Sequence, residues 1–260
     1  MNYKYIEDID ITELKVYKEI REKAFKSDGS FIADSPKVVN ILLESNIEIR
    51  SILATKEYYE EFEALLNSKN IPLLYVTTKE QMQTIVGHKV HHNCMMHGIR
   101  PLQTPLDKLD QNIIMLDNIT STENIGAIAR SAAAMGVYSY LLPQSSPHPY
   151  SRRSLRVSMG HVSKLKYNIY ENVFETIKTL KTQGYKVFAA EVSPSAIKLQ
   201  DVKVPQKWVL LMGHEGHGLS EELIEMCDEC VEIEMQEDVR SFNVGIAASI
   251  LMYSFKNSCS

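Results

Sequence analysis

The period of hydrophobic positions changes repeatedly along this chain, and those changes divide it into elements. SFIADSP reads as a short strand, and the following PKVVNILLESN as a helix, because Val38, Leu42 and Ser45, or Val39, Leu43 and Asn46, recur at helical spacing. IRSILAT, IPLLYVT and NCMMHGIRP are strand-length apolar runs, and KEYYEEFEALLNSKN between the first two carries a helical period. Together they predict a compact α/β unit. RPLQTPLDKLD (Arg100–Asp110) has two prolines and no sustained period, so it reads as a linker, placing one domain at 1–105 and a second at 106–260. In the second, NIIMLDN, VYSYLLP, KVFAAEV, KWVLLMG and CVEIEM read as strands. Helical periods run through ENIGAIARSAAAMG, ENVFETIKTLKTQG, SEELIEM and SFNVGIAASILMYSF, and the stretch from VYSYLLP to about residue 168 reads as a loop. Such alternation predicts an α/β fold with a largely parallel sheet covered on both faces.

With 260 residues and 44% hydrophobic content, the chain can bury two modest cores. No apolar run approaches the roughly 20 residues that span a bilayer, and MNYKYIEDID lacks the features of a secretory leader, so no membrane partner and a cytoplasmic location are expected. Four cysteines, Cys94, Cys227, Cys230 and Cys259, are too few for a disulfide framework. The formal charge of −5 argues against broad nucleic-acid binding. Ser151–Lys166 nevertheless concentrates Arg152, Arg153, Arg156, Lys164 and Lys166 without an acid, and reads either as a solvated loop or as a basic contact stripe.

Three stretches carry candidate chemistry. LMGHEGHGLS (211–220) spaces its glycines as G-x-x-G-x-G, and no G-K-[S/T] follows, so both standard nucleotide fingerprints fail. Glu215 within it would repel a pyrophosphate and suits a cationic or hydroxyl-bearing ligand. Read only as a strand-to-helix turn, the loop has Ser220 as N-cap with Glu221 and Glu222 in the first turn. In STENIGAIARSAAAMGV, Ile125, Ile128, Ala129, Ala132 and Ala133 form a core stripe, Arg130 points away beside Gly126, Ala127 and Ala134, and Asn124 is the expected N-cap. RSFNVGIAASILMYSF is apolar round most of its circumference, as a central helix or a subunit seam would be, and opens with Arg240, Ser241 and Asn243. CDEC (Cys227–Cys230) and HHNCMMH (His91–His97) have metal-like spacings but fall in different predicted domains, so no metal is assigned. Tyr58, Tyr59, Tyr138 and Tyr140 read as packing residues.

In this order, NIGAIARSAAAMG, LMGHEGHGL and IEMQEDVRSFNV resemble the three motifs of the SpoU (TrmH-like) RNA ribose 2′-O-methyltransferases of the SPOUT superfamily. GSFIADSPKVVNILLESN and TTKEQMQTIVGHKVHHNCMMHGIRP resemble the L30e-like substrate-binding domain that often precedes that catalytic domain. The resemblance implies a C-terminal trefoil knot, a homodimer through the catalytic domain, S-adenosylmethionine as cofactor, and RNA, ribosomal rather than transfer, as substrate. It implies that Arg130 is catalytic, that Asn124, Glu215, Ser241 and Asn243 orient the ribose or hold the pocket, and that Ala190, Met212, Gly213, Gly218, Ile233, Met235 and Phe242 line the adenosine site. Arg156, with Arg152 and Arg153, would meet RNA. The chain departs from the family pattern at Glu234 and Glu237, where acids stand near the expected pocket entrance, at Phe242 and Gly245, and at Asp34–Ser35 in place of a Glu–Gly pair. The acids leave open an RNA-binding relative without turnover. A methyltransferase acting on a small molecule is the other alternative.

Overall fold

The computed structural model describes residues 3–18, 28–239 and 241–258. Its chain forms two units, one comprising the residues up to Leu102 together with Tyr150–Ser163, the other Gln103–Pro149 and the residues from Lys164 onward. The crossing at 102/103 falls inside the predicted linker. The contiguous division at 105/106 misses the return of Tyr150–Ser163 to the first unit. Sequence period records what a segment buries, not which distant segment it is buried against.

In the first unit, strands β1 (Tyr3–Tyr5), β2 (Ser30–Asp34), β3 (Glu48–Ala54), β4 (Leu74–Val76) and β5 (Cys94–Ile99) form a mixed sheet in the order β1-β4-β3-β5-β2. Strand β5 runs antiparallel to both β2 and β3, while β4 is parallel to β1 and β3. The predicted single helix after β3 is two, Lys56–Glu61 and Glu63–Asn67, because Phe62 leaves helical dihedrals at φ −111° and ψ 24°. A helix at Lys79–Val86 went unpredicted, although its start is written in the sequence as T-x-x-Q: Thr78 and Gln81 form a reciprocal capping box, and Gly87 closes the helix at φ 78°. The basic stretch is likewise not a loop. Ser151 caps a helix at Arg152–Val157, Tyr150 packs its ring 5.4 Å from Phe31, and Gly160, at φ +82°, lies against the Val38 carbonyl.

The second unit holds β6 (Asn112–Leu116), β7 (Ser139–Pro143), β8 (Lys166–Tyr170), β9 (Lys186–Ala190), β10 (Ile197–Lys198), β11 (Trp208–Met212) and β12 (Glu229–Glu232). They form one sheet in the order β10-β12-β9-β11-β6-β7-β8, and every described pairing is parallel. β8 and β10 lie at the two edges and were unpredicted; short edge strands carry little of the continuous hydrophobicity that marks central ones. β11, buried at all five positions, pairs with β6 and β9. Side chains alternate across it. Val209 and Leu211 join Ile113, Met115, Ile177, Leu180, Leu219 and Leu223 in one core layer. Trp208 and Phe188 pack instead against Phe255, with ring centroids at 5.2 and 4.9 Å. The helix Val244–Ser258 therefore covers that face, and it packs closely on the helix Thr122–Ala134: Ser249 Oγ donates to Ser131 Oγ at 2.8 Å, and a Cβ on Gly245 would lie 3.5 Å from that of Ala127. Among the described residues, no helix is long and apolar enough to cross a membrane.

Candidate functional site

Three neighbouring strands end in register, with Ala190 of β9 beside Met212 of β11 and beside Val231 of β12. Beyond these residues the chain loops away, and at the carboxyl edge of a parallel sheet such loops enclose ligand sites. Here they surround a cavity of about 590 Å³, within the range of small-molecule sites. All seven residues predicted to hold a cofactor, Ala190, Met212, Gly213, Gly218, Ile233, Met235 and Phe242, line it, as do Glu215, Ser241 and Asn243. Arg240 lies outside the described residues.

The glycine loop closes on itself. The Gly218 N–H donates to the His214 carbonyl at 3.0 Å, and a Cβ on Gly213 would stand 2.5 Å from the Gly218 carbonyl carbon, so only glycine fits there. His214 Nδ1 accepts the N–H groups of Gly216 (2.9 Å) and His217 (3.3 Å), so the loop's own backbone fixes the ring. Ser220 caps the helix Glu221–Met226 as predicted.

Asn124 is not the N-cap of its helix. Ser121 is, its Oγ accepting the Asn124 N–H at 3.2 Å. That leaves the Asn124 amide for longer reach: Nδ2 donates to Glu215 Oε1 at 3.0 Å, and Oδ1 accepts from Asn243 Nδ2 at 3.1 Å. Asn243 Oδ1 in turn accepts the N–H groups of Gly245 (2.9 Å) and Ile246 (3.4 Å), capping the last helix. One amide relay thus ties the glycine loop to the starts of two helices. Partial burial opposes ionisation of Glu215, but hydrogen bonds from Asn124 and from the backbone of Glu215, Ser121 and Thr120 outweigh it and hold the carboxyl below its ordinary range.

Arg130 is exposed on the same helix and, among the described residues, has no hydrogen-bond or ion-pair partner. It does not line the cavity, nor does Asn124. Of the basic stretch, Arg152 and Arg156 turn to the buried Asp34: Arg152 Nε donates to Oδ2 at 2.9 Å with a second, short bond from its Nη2, and Arg156 Nε stands 3.4 Å from Oδ1. Arg153 is exposed. Glu234 and Glu237 do not crowd the cavity; neither lines it, and Glu234 pairs with Lys198 at 2.7 Å. Cys227 is a half-buried thiol pushed up to about 12, chiefly by desolvation, and the described residues contain no metal-binding cluster. Tyr58, Tyr59 and Tyr140 are buried, whereas Tyr138 is exposed.

Sequence reasoning missed Glu191, whose carboxylate lines the cavity, accepts the Leu219 N–H at 2.9 Å and caps the Val192 N–H at 3.0 Å. Its signal was available, since an acid directly after a parallel strand stands at the same carboxyl edge as the glycine loop.

Residues 111–253 match the model of the SpoU rRNA Methylase family. An uncharacterized tRNA/rRNA methyltransferase of Mycobacterium bovis is 30% identical over 151 residues, which are 58% of this chain and 47% of that protein. The chain thus spans about half the length of the first such relatives. The 23S rRNA (guanosine-2′-O-)-methyltransferase RlmB of Acinetobacter baylyi is 26% identical over 186 residues, 68% of this chain and 75% of that one. In structure, the chain shares its fold with an AdoMet-bound rRNA methyltransferase from Sinorhizobium meliloti, at a TM-score of 0.85, 21% identity and 98% coverage of both chains. With the family match extending over more than half of its residues and containing the glycine loop and the amide relay, the chain belongs to the SpoU rRNA Methylase family.

Proposed function

We propose that the protein transfers a methyl group from S-adenosylmethionine to a ribose 2′-hydroxyl of a structured RNA, ribosomal RNA in preference to transfer RNA. One observation carries the reading: seven residues assigned to the donor by their motifs, drawn from separate parts of the sequence, line a single cavity at the sheet edge. The cavity's chemistry fits that donor. Bare backbone at Gly213 and Gly218 permits close approach, and the described lining residues include neither lysine nor arginine, as a phosphate-bearing ligand would want. When bound, S-adenosylmethionine supplies an electrophilic methyl group on a sulfonium.

The chain's own residues do the rest. Arg130 offers an unengaged guanidinium to the phosphate beside the target ribose; too weak an acid to be a base, it favours loss of the hydroxyl proton by holding positive charge nearby. Asn124, Glu215 and Asn243 fix the helix that carries Arg130 to the glycine loop. Ser241 lines the cavity beside them. Alignment of hydroxyl and methyl is worth up to about 7–11 kcal/mol, so holding these elements in place is a large part of the catalysis. The same reading includes the knotted C-terminal chain path of the SPOUT fold and an L30e-like N-terminal domain that binds the RNA, with exposed Arg153 toward it. It also includes a homodimer through the catalytic domain, for which Ile246 and Tyr253, 53% and 66% exposed on one face of the last helix, supply apolar surface. Glu234, paired with Lys198 outside the cavity, gives no support to a relative without turnover.

Labelled S-adenosylmethionine, total RNA and the Arg130→Ala variant test the proposal. Label should enter RNA only with the unaltered protein, be released by ribonuclease, and appear in dinucleotides that resist alkali because their 2′-oxygen is blocked. Label that survives ribonuclease, or transfer unaffected by Arg130→Ala, would overturn it.

A further inference from the structure

Among the described residues, the cavity wall carries three acids, Glu191, Glu215 and Glu232, the histidines His214 and His217, and neither lysine nor arginine. The three acids differ in their surroundings. Glu215 is engaged by the Asn124 amide, and Glu232 stands near Lys198, which feels its charge. Glu191 is held only by two uncharged backbone N–H groups, at Leu219 and Val192, and among the described residues it forms no ion pair. Those two bonds clamp its carboxylate between the end of β9 and the end of the glycine loop. Gly218 makes the room, because at φ +66° a Cβ there would collide with Glu191 Oε2. The position of this charge is therefore built in.

We propose that Glu191 is the specificity-determining residue by which the cavity distinguishes the cationic methyl donor from its neutral thioether product, an inference that rests on the methyl-donor reading above. During transfer the carbon–sulfur bond breaks and its electron pair stays on sulfur. The methyl carbon bonds to the ribose oxygen, and the hydroxyl proton leaves to solvent. The bound ligand thus loses one positive charge while Glu191 keeps its negative one, so an attraction that holds the donor is absent for the product. Across a cavity of this size, a unit charge within about 10 Å at an effective dielectric of about 20 corresponds to on the order of tenfold in affinity. Attraction to the ground-state cation also fades as its charge is lost, so it acts on KM and does not raise kcat.

Calorimetric titration of the full chain with S-adenosylmethionine and with S-adenosylhomocysteine provides the test, repeated for Glu191→Gln, which keeps the shape and removes the charge. Its single amide oxygen retains one of the two backbone bonds, and because that loss is common to both ligands the difference between them carries the test. Donor affinity should fall about tenfold more than product affinity, since only the charged ligand feels the carboxylate. The variant's KM for the donor should rise with no fall in kcat. Equal changes for both ligands, or none for the donor, would refute the role of Glu191 while leaving the methyl-donor reading intact. A protein that binds neither ligand would overturn that reading too. Should the variant not fold, salt dependence of the unaltered protein decides: donor affinity must fall with added salt while product affinity holds, and parallel behaviour sinks the proposal.

Discussion

Reversing the polarity of the amide relay tests its construction directly. In Asn243→Ala both roles of the side chain vanish: the cap on the last helix, worth about 1 kcal/mol, and the bond to Asn124, worth about 1 kcal/mol more. Asn243→Asp separates them. The carboxylate still accepts the Gly245 and Ile246 N–H groups and gains about 0.3–1 kcal/mol at the helix N-terminus. However, it faces Asn124 Oδ1, now 3.1 Å from a donor, with another acceptor. Turning the Asn124 amide over does not help, because its oxygen would then face Glu215 at 3.0 Å. The expected net cost is about 1 kcal/mol, at the low end for an unsatisfied polar contact because Asn243 is exposed. Glu215→Gln supplies the missing donor: with Asn124 reversed, Gln gives its N–H to the Asn124 oxygen, at the loss of the long 3.4 Å bond from the Ser121 N–H, and Asn124 gives its own to Asp. The double variant should therefore be more stable than the sum of the singles by about 1 kcal/mol. Trp208, the chain's only tryptophan, is fully buried against Phe255 of the last helix, so its fluorescence during urea unfolding reports on this unit. Additivity of the two substitutions to within about 0.5 kcal/mol would refute the relay.

Other consequences are as specific. Gly213→Ala places a methyl 2.5 Å from the Gly218 backbone and should lower stability of the second unit by about 1–3 kcal/mol and abolish calorimetric binding of S-adenosylmethionine. Asp34→Ala leaves Arg152 and Arg156 without their shared, buried partner and should cost about 3 kcal/mol, read as loss of helical circular dichroism at lower urea. His97 and His92 both have pKa values lowered mainly by desolvation, Asp28 and Asp34 respectively opposing. Their unfolded forms therefore bind protons more readily, so the stability they contribute is present above the ordinary histidine value of about 6.5 and is lost as pH falls through the folded values. Melting temperature should drop across that interval, and a His92→Asn/His97→Asn variant should flatten the curve; an unchanged slope would count against the assignment.

The chain's own pattern determined most of the second unit. Five central strands and four helices follow from runs and periods that local burial imposes, and the glycines at 213 and 218 mark the cavity because no other residue fits their backbone. The cavity's lining was named by the resemblance of the motifs to the SpoU family, and the parallel strands between them bring those residues to one sheet edge. What only the tertiary structure decided are the partnerships between distant residues of either unit. Nothing near Arg152 in sequence announces Asp34, so a stripe that reads as a solvated loop or a contact surface proves to commit two of its five cations, Arg152 and Arg156, to a buried carboxylate. Asn124, a natural cap by composition, cedes that role to Ser121 and reaches Glu215 and Asn243 instead, 91 and 119 residues away. Glu191 looks like any acid after a strand until Leu219 and Gly218 close around it. The physical reason is common to all three: local sequence fixes which groups must be satisfied, whereas the identity of the partner depends on contacts whose sequence separation no periodicity records.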